Sequence, residues 1–318
     1  MDTMKNLVLH IGYHKTATTF LQRSVFANQK HIVYLGVPWR NKSFGEFFRE
    51  LKYVNDLDFD SCAFSSRIAA LLGGLQSEIP SEHTPIVASL ESLHCGADWF
   101  GRDVLTMLNR LARVFPGAKI IIGIRNQKSY IVSNYAEYVI HGGKLAFDEY
   151  LHRSFSFDRC LAPKLQYDKV IRLYQRRFGR DRVYVYLQEE LKADVTNEIR
   201  KILEFVSVET IDPWELGSVY SGLSRLAIGF VRIANKVMAK DFTEQYNIVG
   251  QQDKWPIREK LRRKTVSVAR RIMKGPAASP KSMMKTSDCE RVDNMFRQSN
   301  VRLAELLQKN IKTYGYVQ

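Results

Sequence analysis

The residues best suited to chemistry lie near the start of the chain, in the segment HIGYHKTATTFLQ of residues 10–22. Gly12 ends a short apolar run, and Lys15 and several threonines follow it. Where a strand leads into a helix in this way, the first backbone N–H groups of the helix have no partner within it and attract an anion. A lysine adds a full charge, and hydroxyl groups donate further hydrogen bonds. The segment therefore predicts a cradle for a phosphate or sulfate group.

The candidate anion contacts are the consecutive residues Lys15, Thr16, Ala17, Thr18 and Thr19. An ordinary helix start with a solvated lysine is the alternative interpretation of the same pattern. The segment is not a Walker A motif, because that motif requires a glycine directly before the lysine and His14 stands there. A P-loop-like nucleotide kinase is therefore the weaker interpretation.

A second candidate block is FPGAKIIIGIR, residues 115–125, with the helix-like residues that follow it. Arg125 stands at the carboxyl end of a predicted strand, the edge at which open α/β sheets bind ligands. Ser133 falls about two helical turns further on if the helix begins near Asn126. A guanidinium fork suits a doubly charged terminal phosphate, although a structural ion pair would explain Arg125 taken alone. Together with the upstream segment, this block carries more weight than it does alone.

These blocks resemble the family of sulfotransferases that use PAPS (3′-phosphoadenosine-5′-phosphosulfate), particularly its bacterial members. The pattern H-x-G-x-x-K-T-x-T-T-x-x-Q is similar to the family's 5′-phosphosulfate loop, with Ala17 where glycine is usual. The block with Arg125 and Ser133 is similar to its 3′-phosphate-binding strand and helix, with Gln127 in place of a proline. Residues 186–208 and the ending with S-N-V-R and Y-G-Y are also similar to the family.

The resemblance implies transfer of a sulfuryl group from PAPS to an acceptor hydroxyl or amine, with PAP as the product and without a metal ion. Such a transfer is an in-line displacement in which positioning and electrostatic stabilisation dominate. In this interpretation Lys15 stabilises the bridging oxygen of the donor as PAP departs. The acceptor is expected to be a carbohydrate or glycolipid, as for bacterial glycan-modifying members.

The acceptor needs a general base, which in this family is a histidine or glutamate near the donor. Glu91 is the first candidate, because it directly follows the apolar segment of residues 86–90. It would otherwise be an acid in the first turn of the next helix. His14, inside the predicted cradle, is the second candidate. His10 is interpreted as a strand residue packed in the sheet.

The elements that must position these residues follow from apolar segments at residues 6–12, 31–35, 85–90, 118–124 and 182–187. Each is rich in β-branched or aromatic residues and leads into helix-like sequence, the first into a helix expected over residues 16–29. This alternation predicts an α/β domain with a central parallel sheet flanked by helices, a P-loop-like sulfotransferase fold. We expect residues 1–210 to form the PAPS-binding core and residues 211–318 to form a helical, basic extension that completes the same domain.

The composition limits the class of protein and the partners that the chain suits. With 45% hydrophobic and 25% charged residues, the chain is typical of globular proteins. Its four cysteines are scattered and predict neither a disulfide framework nor a zinc site. The net charge of +15 favours anionic partners, so a polyanion-binding protein without enzymatic activity is the alternative function. No zinc-finger, RNP or helix-turn-helix pattern indicates a specific nucleic acid.

The basic residues concentrate in residues 254–285, where Glu259 is the single acid. This segment is expected to hold an anionic donor or acceptor, or to rest on an anionic membrane surface. The sequence has neither a run of about 18 apolar residues nor the pattern of a signal peptide. We therefore expect a cytoplasmic protein with peripheral contact at the inner face of a membrane.

Overall fold

The computed structural model describes residues 6–36, 42–75, 77, 79, 81, 83–90, 93, 104–156, 161–208, 211–214, 222–238 and 256–318. The chain divides into two compact units. Unit 1 comprises Met1–Arg125, Leu161–Val219 and Phe296–Gln318, and unit 2 comprises Asn126–Cys160 and Tyr220–Met295. Both units combine segments from before and after residue 210.

Unit 1 contains a five-stranded sheet with the order β2-β3-β1-β4-β5. The strands are β1 (Leu7–His10), β2 (Val33–Tyr34), β3 (Ile86–Ser89), β4 (Lys119–Ile124) and β5 (Val183–Leu187). All neighbouring strands are parallel. Each lies within one of the predicted segments, because near-continuous apolar runs suit strands that are covered on both faces. The predicted α/β fold with a central parallel sheet is confirmed.

Helices follow the strands along the chain. They are α1 (Thr18–Phe20), α2 (Lys42–Tyr53), α3 (Ser61–Gly73), α4 (Val104–Val114), α5 (Gln127–Ile140), α6 (Phe147–Ser154), α7 (Ala162–Leu165), α8 (Tyr167–Phe178), α9 (Gln188–Ala193), α10 (Val195–Val206), α11 (Arg225–Met238), α12 (Pro256–Ile272), α13 (Pro280–Met283) and α14 (Thr286–Leu307). Unit 2 includes α5, α6, α11, α12 and α13. Short 3-10 turns occupy Arg180–Arg182 and Ile311–Tyr314.

The first helix differs from the expectation of a regular helix over residues 16–29. Only α1 is α-helical; a π-helical turn, Leu21–Val25, and a 3-10 turn, Phe26–Asn28, continue it. The π-helical turn is wider than an α-helical turn, and its residues Leu21, Gln22 and Val25 are buried. Leu21 and Val25 pack with Val8 and Tyr186 of the sheet and with α10. The segment after the predicted cradle is thus anchored in the core of unit 1.

In unit 2, α11 packs against α5 and α12. The buried Asn235 of α11 donates hydrogen bonds to the carbonyl oxygens of Val139 (2.7 Å) and Gly143 (3.0 Å). Arg262 of α12 donates to the carbonyl oxygen of Ile140 at 2.9 Å, where α5 ends. Both helices are therefore fixed to the C-terminal end of α5. Across the described parts of the two units, no helix is both long and apolar enough to cross a membrane.

Candidate anion-binding site

The loop of residues 11–17 joins β1 to α1 and lies beside the carboxyl end of β4. The N–H groups of Ile11 and Tyr13 donate to the carbonyl oxygens of Ile121 (3.0 Å) and Gly123 (3.1 Å). Gly12 lies between them, and a Cβ atom there would stand 2.6 Å from the backbone nitrogen of Gly123. Since no larger residue fits at this approach, the glycine of the sequence pattern is needed to bring the loop onto β4.

Two residues of the loop have a left-handed backbone, Lys15 with φ 66° and Ala17 with φ 68°. Turns of this kind direct successive N–H groups into a concave site for anions. The carbonyl oxygen of Ala17 accepts from the N–H groups of Phe20 and Leu21, and the start of α1 has no side-chain cap. Alanine keeps this loop shape at a strain of about 1 kcal/mol, which a glycine would not have. The loop and the helix start together have the form of an anion cradle.

Hydrogen bonds of Thr16 and Tyr186 stabilise the conformation of the loop. The buried Thr16 hydroxyl donates to the carbonyl oxygen of Tyr13 at 2.6 Å. The hydroxyl of Tyr186, on β5, donates to the carbonyl oxygen of Thr16 at 3.1 Å. The Thr16 hydroxyl is therefore engaged within the loop, and the group that Thr16 offers to a ligand is its backbone N–H.

A buried polar network supports this arrangement. His10 Nε2 lies 3.2 Å from the hydroxyl of Tyr186, and His10 Nδ1 lies 2.8 Å from the hydroxyl of Ser89. Gln22 donates its amide N–H to Ser89 at 3.1 Å. Because the Tyr186 hydroxyl donates to Thr16, it accepts from His10 Nε2–H, which leaves Nδ1 to accept from Ser89. His10 is a packed strand residue that orients the loop through Tyr186.

Arg125 reaches the loop from the end of β4. Its Nη1 donates to the carbonyl oxygen of Lys15 at 3.3 Å, and its own carbonyl oxygen accepts from the Tyr167 hydroxyl at 2.7 Å. Its Nε atom is buried and has no hydrogen-bond partner among the described residues. Burial lowers the pKa of Arg125, and the charge of Glu189 opposes that shift most strongly. A buried donor without an acceptor is unfavourable until an oxygen meets it, so an anion suits this position.

Two further charged residues lie near Arg125, on α9 after β5. The pKa of Lys192 is lowered, first by desolvation and then by the positive charge of Arg125, whereas Glu189 raises it. The hydroxyl of the buried Tyr316 donates to Glu189 at 3.4 Å. From the sequence, this block was noted only for its similarity to the family, and no site residue was predicted in it. Its position at the carboxyl end of β5 was the signal that could have assigned Lys192 to the site.

The C-terminal residues help to hold Arg125. Asp168, buried at the start of α8, accepts hydrogen bonds from the Ser299 hydroxyl and from Arg302 Nε, the latter at 2.6 Å. Tyr167, which bonds the carbonyl oxygen of Arg125, is the preceding residue of α8. Two residues of the S-N-V-R pattern, Ser299 and Arg302, thus hold α8, the helix that carries Tyr167.

The other predicted site residues fall into three groups. His14 is half-buried in the loop, and at the start of α1 Thr18 is buried and Thr19 is exposed. Ser133 is half-buried in α5 of unit 2. Glu91 lies outside the described residues. Within the described parts of the chain, no group of three or more His, Cys, Asp or Glu residues is placed to hold a metal ion.

Comparisons with known proteins bear on the family and the fold. A model of the family described as "Sulfotransferase family" matches residues 8–213. The crystal structure of a sulfotransferase from Alicyclobacillus acidocaldarius is similar in fold, with a TM-score of 0.51 and 14% sequence identity over 98% of each chain. A comparison with curated proteins gave no significant match.

Proposed function

The chain belongs to the sulfotransferase family, and we propose that it uses PAPS as the donor in transferring a sulfuryl group to an acceptor hydroxyl or amine. The observation that carries the proposal is the contact between Arg125 and the loop of residues 11–17. The loop contains left-handed residues, and the helix that follows it has no side-chain cap. The Arg125 guanidinium beside the loop has a buried Nε donor without a hydrogen-bond partner among the described residues. A small oxyanion would satisfy one of these groups, whereas a nucleotide with phosphate groups at its 5′ and 3′ positions suits both.

In the proposed reaction, the acceptor oxygen or nitrogen forms a bond to sulfur while the bond between sulfur and the bridging oxygen breaks. The electron pair of the broken bond stays with PAP, and the acceptor proton passes to a base. Negative charge grows on the bridging oxygen, so a cation fixed at that point stabilises the transition state more than the ground state. We assign this role to Lys15, whose backbone is fixed in the loop by Arg125.

The loop groups would bind the sulfuryl and 5′-phosphate oxygens. They are the backbone N–H groups of residues 16–19, together with the hydroxyl groups of Thr18 and Thr19. Arg125 would bind the 3′-phosphate, and Lys192 adds positive charge beside it. The assignment of Ser133 to the same phosphate stays a prediction from the sequence.

The donor can be tested by thermal denaturation with added nucleotides. A ligand that binds the folded state alone raises the melting temperature by mass action. We expect a clear rise with PAP and a much smaller one with ADP or ATP at the same concentration. Equal shifts with all three nucleotides would favour the nucleotide kinase instead.

The base is proposed to be Glu91 or His14. Replacing the carboxylate of Glu91 or the imidazole of His14 with an amide of similar size removes the group that would accept the proton, while the size of the side chain stays similar. We expect Glu91→Gln or His14→Gln to abolish most turnover while leaving PAP binding within a few-fold of the unchanged protein. Near-normal turnover in one variant removes that residue from the mechanism.

The acceptor is proposed to be a carbohydrate or glycolipid. A screen with PAPS labelled in its sulfate group, offered with saccharides, glycolipids, lipids and phenols, tests this directly. Label that moves to a saccharide or glycolipid supports the proposal. Label that moves only to phenols or protein tyrosines contradicts it, without affecting the assignment of the donor.

A further inference from the structure

Helix α11 presents a row of large apolar side chains to solvent. They are Leu226 (73% exposed), Phe230 (41%), Ile233 (61%) and Val237 (89%). Their spacing places them on one face of the helix, while Val231 and Asn235 are buried on another face. A helix of a globular protein normally buries such a stripe, so this face is suited to an apolar partner.

Helix α12 has a matching row, formed by Leu261 (47% exposed), Val268 (46%) and Ile272 (72%). The Ser224 hydroxyl, just before α11, donates to the carbonyl oxygen of Met273 at 2.8 Å, just after α12. The two packed helices are therefore antiparallel. Because both rise by about 1.5 Å per residue, Leu226 lies level with Ile272. In the same order, Phe230 lies level with Val268 and Val237 with Leu261.

Exposed cations accompany the two rows. They are Arg225 and Lys236 on α11, and Lys260, Arg263, Lys264, Arg270, Arg271 and Lys274 on or just after α12. Within α11 and α12 the sequence contains a single acidic residue, Glu259. Arg262 differs from these cations, because it is half-buried and donates to the carbonyl oxygen of Ile140. The pair of helices thus combines exposed apolar area with exposed positive charge.

We propose that α11 and α12 form a docking surface for an anionic lipid bilayer. Amphipathic helices with aliphatic and aromatic side chains beside lysine and arginine lie in the membrane interface, with the apolar side chains among the acyl chains. The cations then meet the lipid phosphates, and attraction to an anionic leaflet adds to the apolar burial. The surface has both components on the same two helices.

Charge and side-chain chemistry favour this occupant over two others. A second copy of the chain would bring its own exposed cations against the same surface, which repulsion disfavours. A nucleic acid would meet the cations but would leave the aliphatic rows without a partner, and base stacking relies on aromatic side chains. Phe230 is the single aromatic residue in the two rows.

Vesicle sedimentation tests the proposal with the full chain. We expect the protein to bind vesicles of equal parts phosphatidylcholine and phosphatidylglycerol, and to bind pure phosphatidylcholine much more weakly. The double variants Lys264→Glu/Arg271→Glu and Leu226→Ser/Ile233→Ser should each lower binding to the anionic vesicles by roughly tenfold or more. PAP binding should stay unchanged in both, so the result is independent of the proposed donor.

Matched controls come from unit 1. Arg172→Glu/Arg176→Glu reverses two exposed cations on α8, and Leu57→Ser removes a leucine that is 92% exposed. Neither control should change vesicle binding. Three outcomes would overturn the proposal: no preference for anionic vesicles, an equal loss in the controls, or a dimer in analytical ultracentrifugation that either double variant dissociates.

Discussion

The loop of residues 11–17 with Arg125, and the surface of α11 and α12, both carry positive charge, but they hold it in different ways. In unit 1, Arg125 bonds the carbonyl oxygen of Lys15, and a buried network fixes the loop from Tyr186 and His10. In unit 2, the cations beside the apolar rows are exposed, and the half-buried Arg262 bonds the backbone of α5. Positioned charge suits recognition of one small anion, whereas exposed charge suits a surface. The net charge of +15 does not distinguish the two uses.

The largest expected difference between the two regions concerns catalysis. Lys15→Ala should lower sulfuryl transfer by roughly 100- to 1,000-fold, because it removes the cation proposed to stabilise the departing oxygen. The matched change Lys264→Ala removes an exposed lysine of α12 and should leave transfer to a soluble acceptor unchanged. Single-turnover measurements of PAP formation provide the comparison. Similar rates in Lys15→Ala and the unchanged protein would contradict the proposed role.

The next effect concerns the affinity for PAP. Arg125→Ala should weaken PAP binding by roughly 10- to 100-fold, the usual range for a hydrogen bond to a charged group. Binding of adenosine 5′-monophosphate, which lacks the 3′-phosphate, should weaken only several-fold, through the lost bond to the carbonyl oxygen of Lys15. Calorimetry can measure both affinities. Arg182→Ala is the control, since Arg182 bonds the carbonyl oxygen of Gly117 near the amino end of β5. An equal loss for both nucleotides in Arg125→Ala would place the guanidinium away from the 3′-phosphate.

A smaller effect distinguishes the two tyrosines of β5. Tyr186→Phe leaves the carbonyl oxygen of Thr16 without its donor and should lower the free energy of unfolding by about 1–3 kcal/mol. PAP affinity should fall several-fold with it, because the loop loses a support. Tyr184→Phe removes a hydroxyl that donates to the buried Glu198 at 2.7 Å. It should destabilise the fold to a similar extent without changing PAP affinity. If both variants lowered affinity equally, the role of Tyr186 would be general stability.

The smallest expected effect is a gain in stability. Ala17→Gly should raise the free energy of unfolding by up to about 1 kcal/mol, because glycine adopts the left-handed backbone without strain. Gln308→Gly relieves the same strain at φ 54° near the chain end. Both changes should raise stability in urea denaturation, and Ala17→Gly alone should also alter PAP affinity. A loss of stability in Ala17→Gly would mean that the methyl group contributes packing that outweighs the strain.

The strands and the loop could be predicted because their signals are local. Near-continuous apolar runs identified all five strands of the sheet, and the glycine, lysine and threonine pattern placed the loop after β1. The π-helical turn after α1 was not predicted, since residues 16–29 have an ordinary helical spacing of apolar residues. It buries Gln22 beside Ser89, a contact between distant parts of the sequence.

The supports of the site were missed for the same reason. Tyr186 bonds Thr16 across 170 positions, and Ser299 bonds Asp168 across 131 positions. No local pattern marks such partners. The basic segment was visible in the sequence, but the exposed rows of α11 and α12 depend on which helix faces remain uncovered after packing on α5. The role of Arg262 at the end of α5 likewise required the fold.

A crystal structure of the complex with PAP tests the central claim most directly. We expect the 5′-phosphate within hydrogen-bonding distance of the backbone N–H groups of residues 16–19, next to the ammonium group of Lys15. We also expect a 3′-phosphate oxygen bonded to the Nε or Nη atoms of Arg125. PAP bound elsewhere, or an empty loop at saturating PAP, would contradict the account.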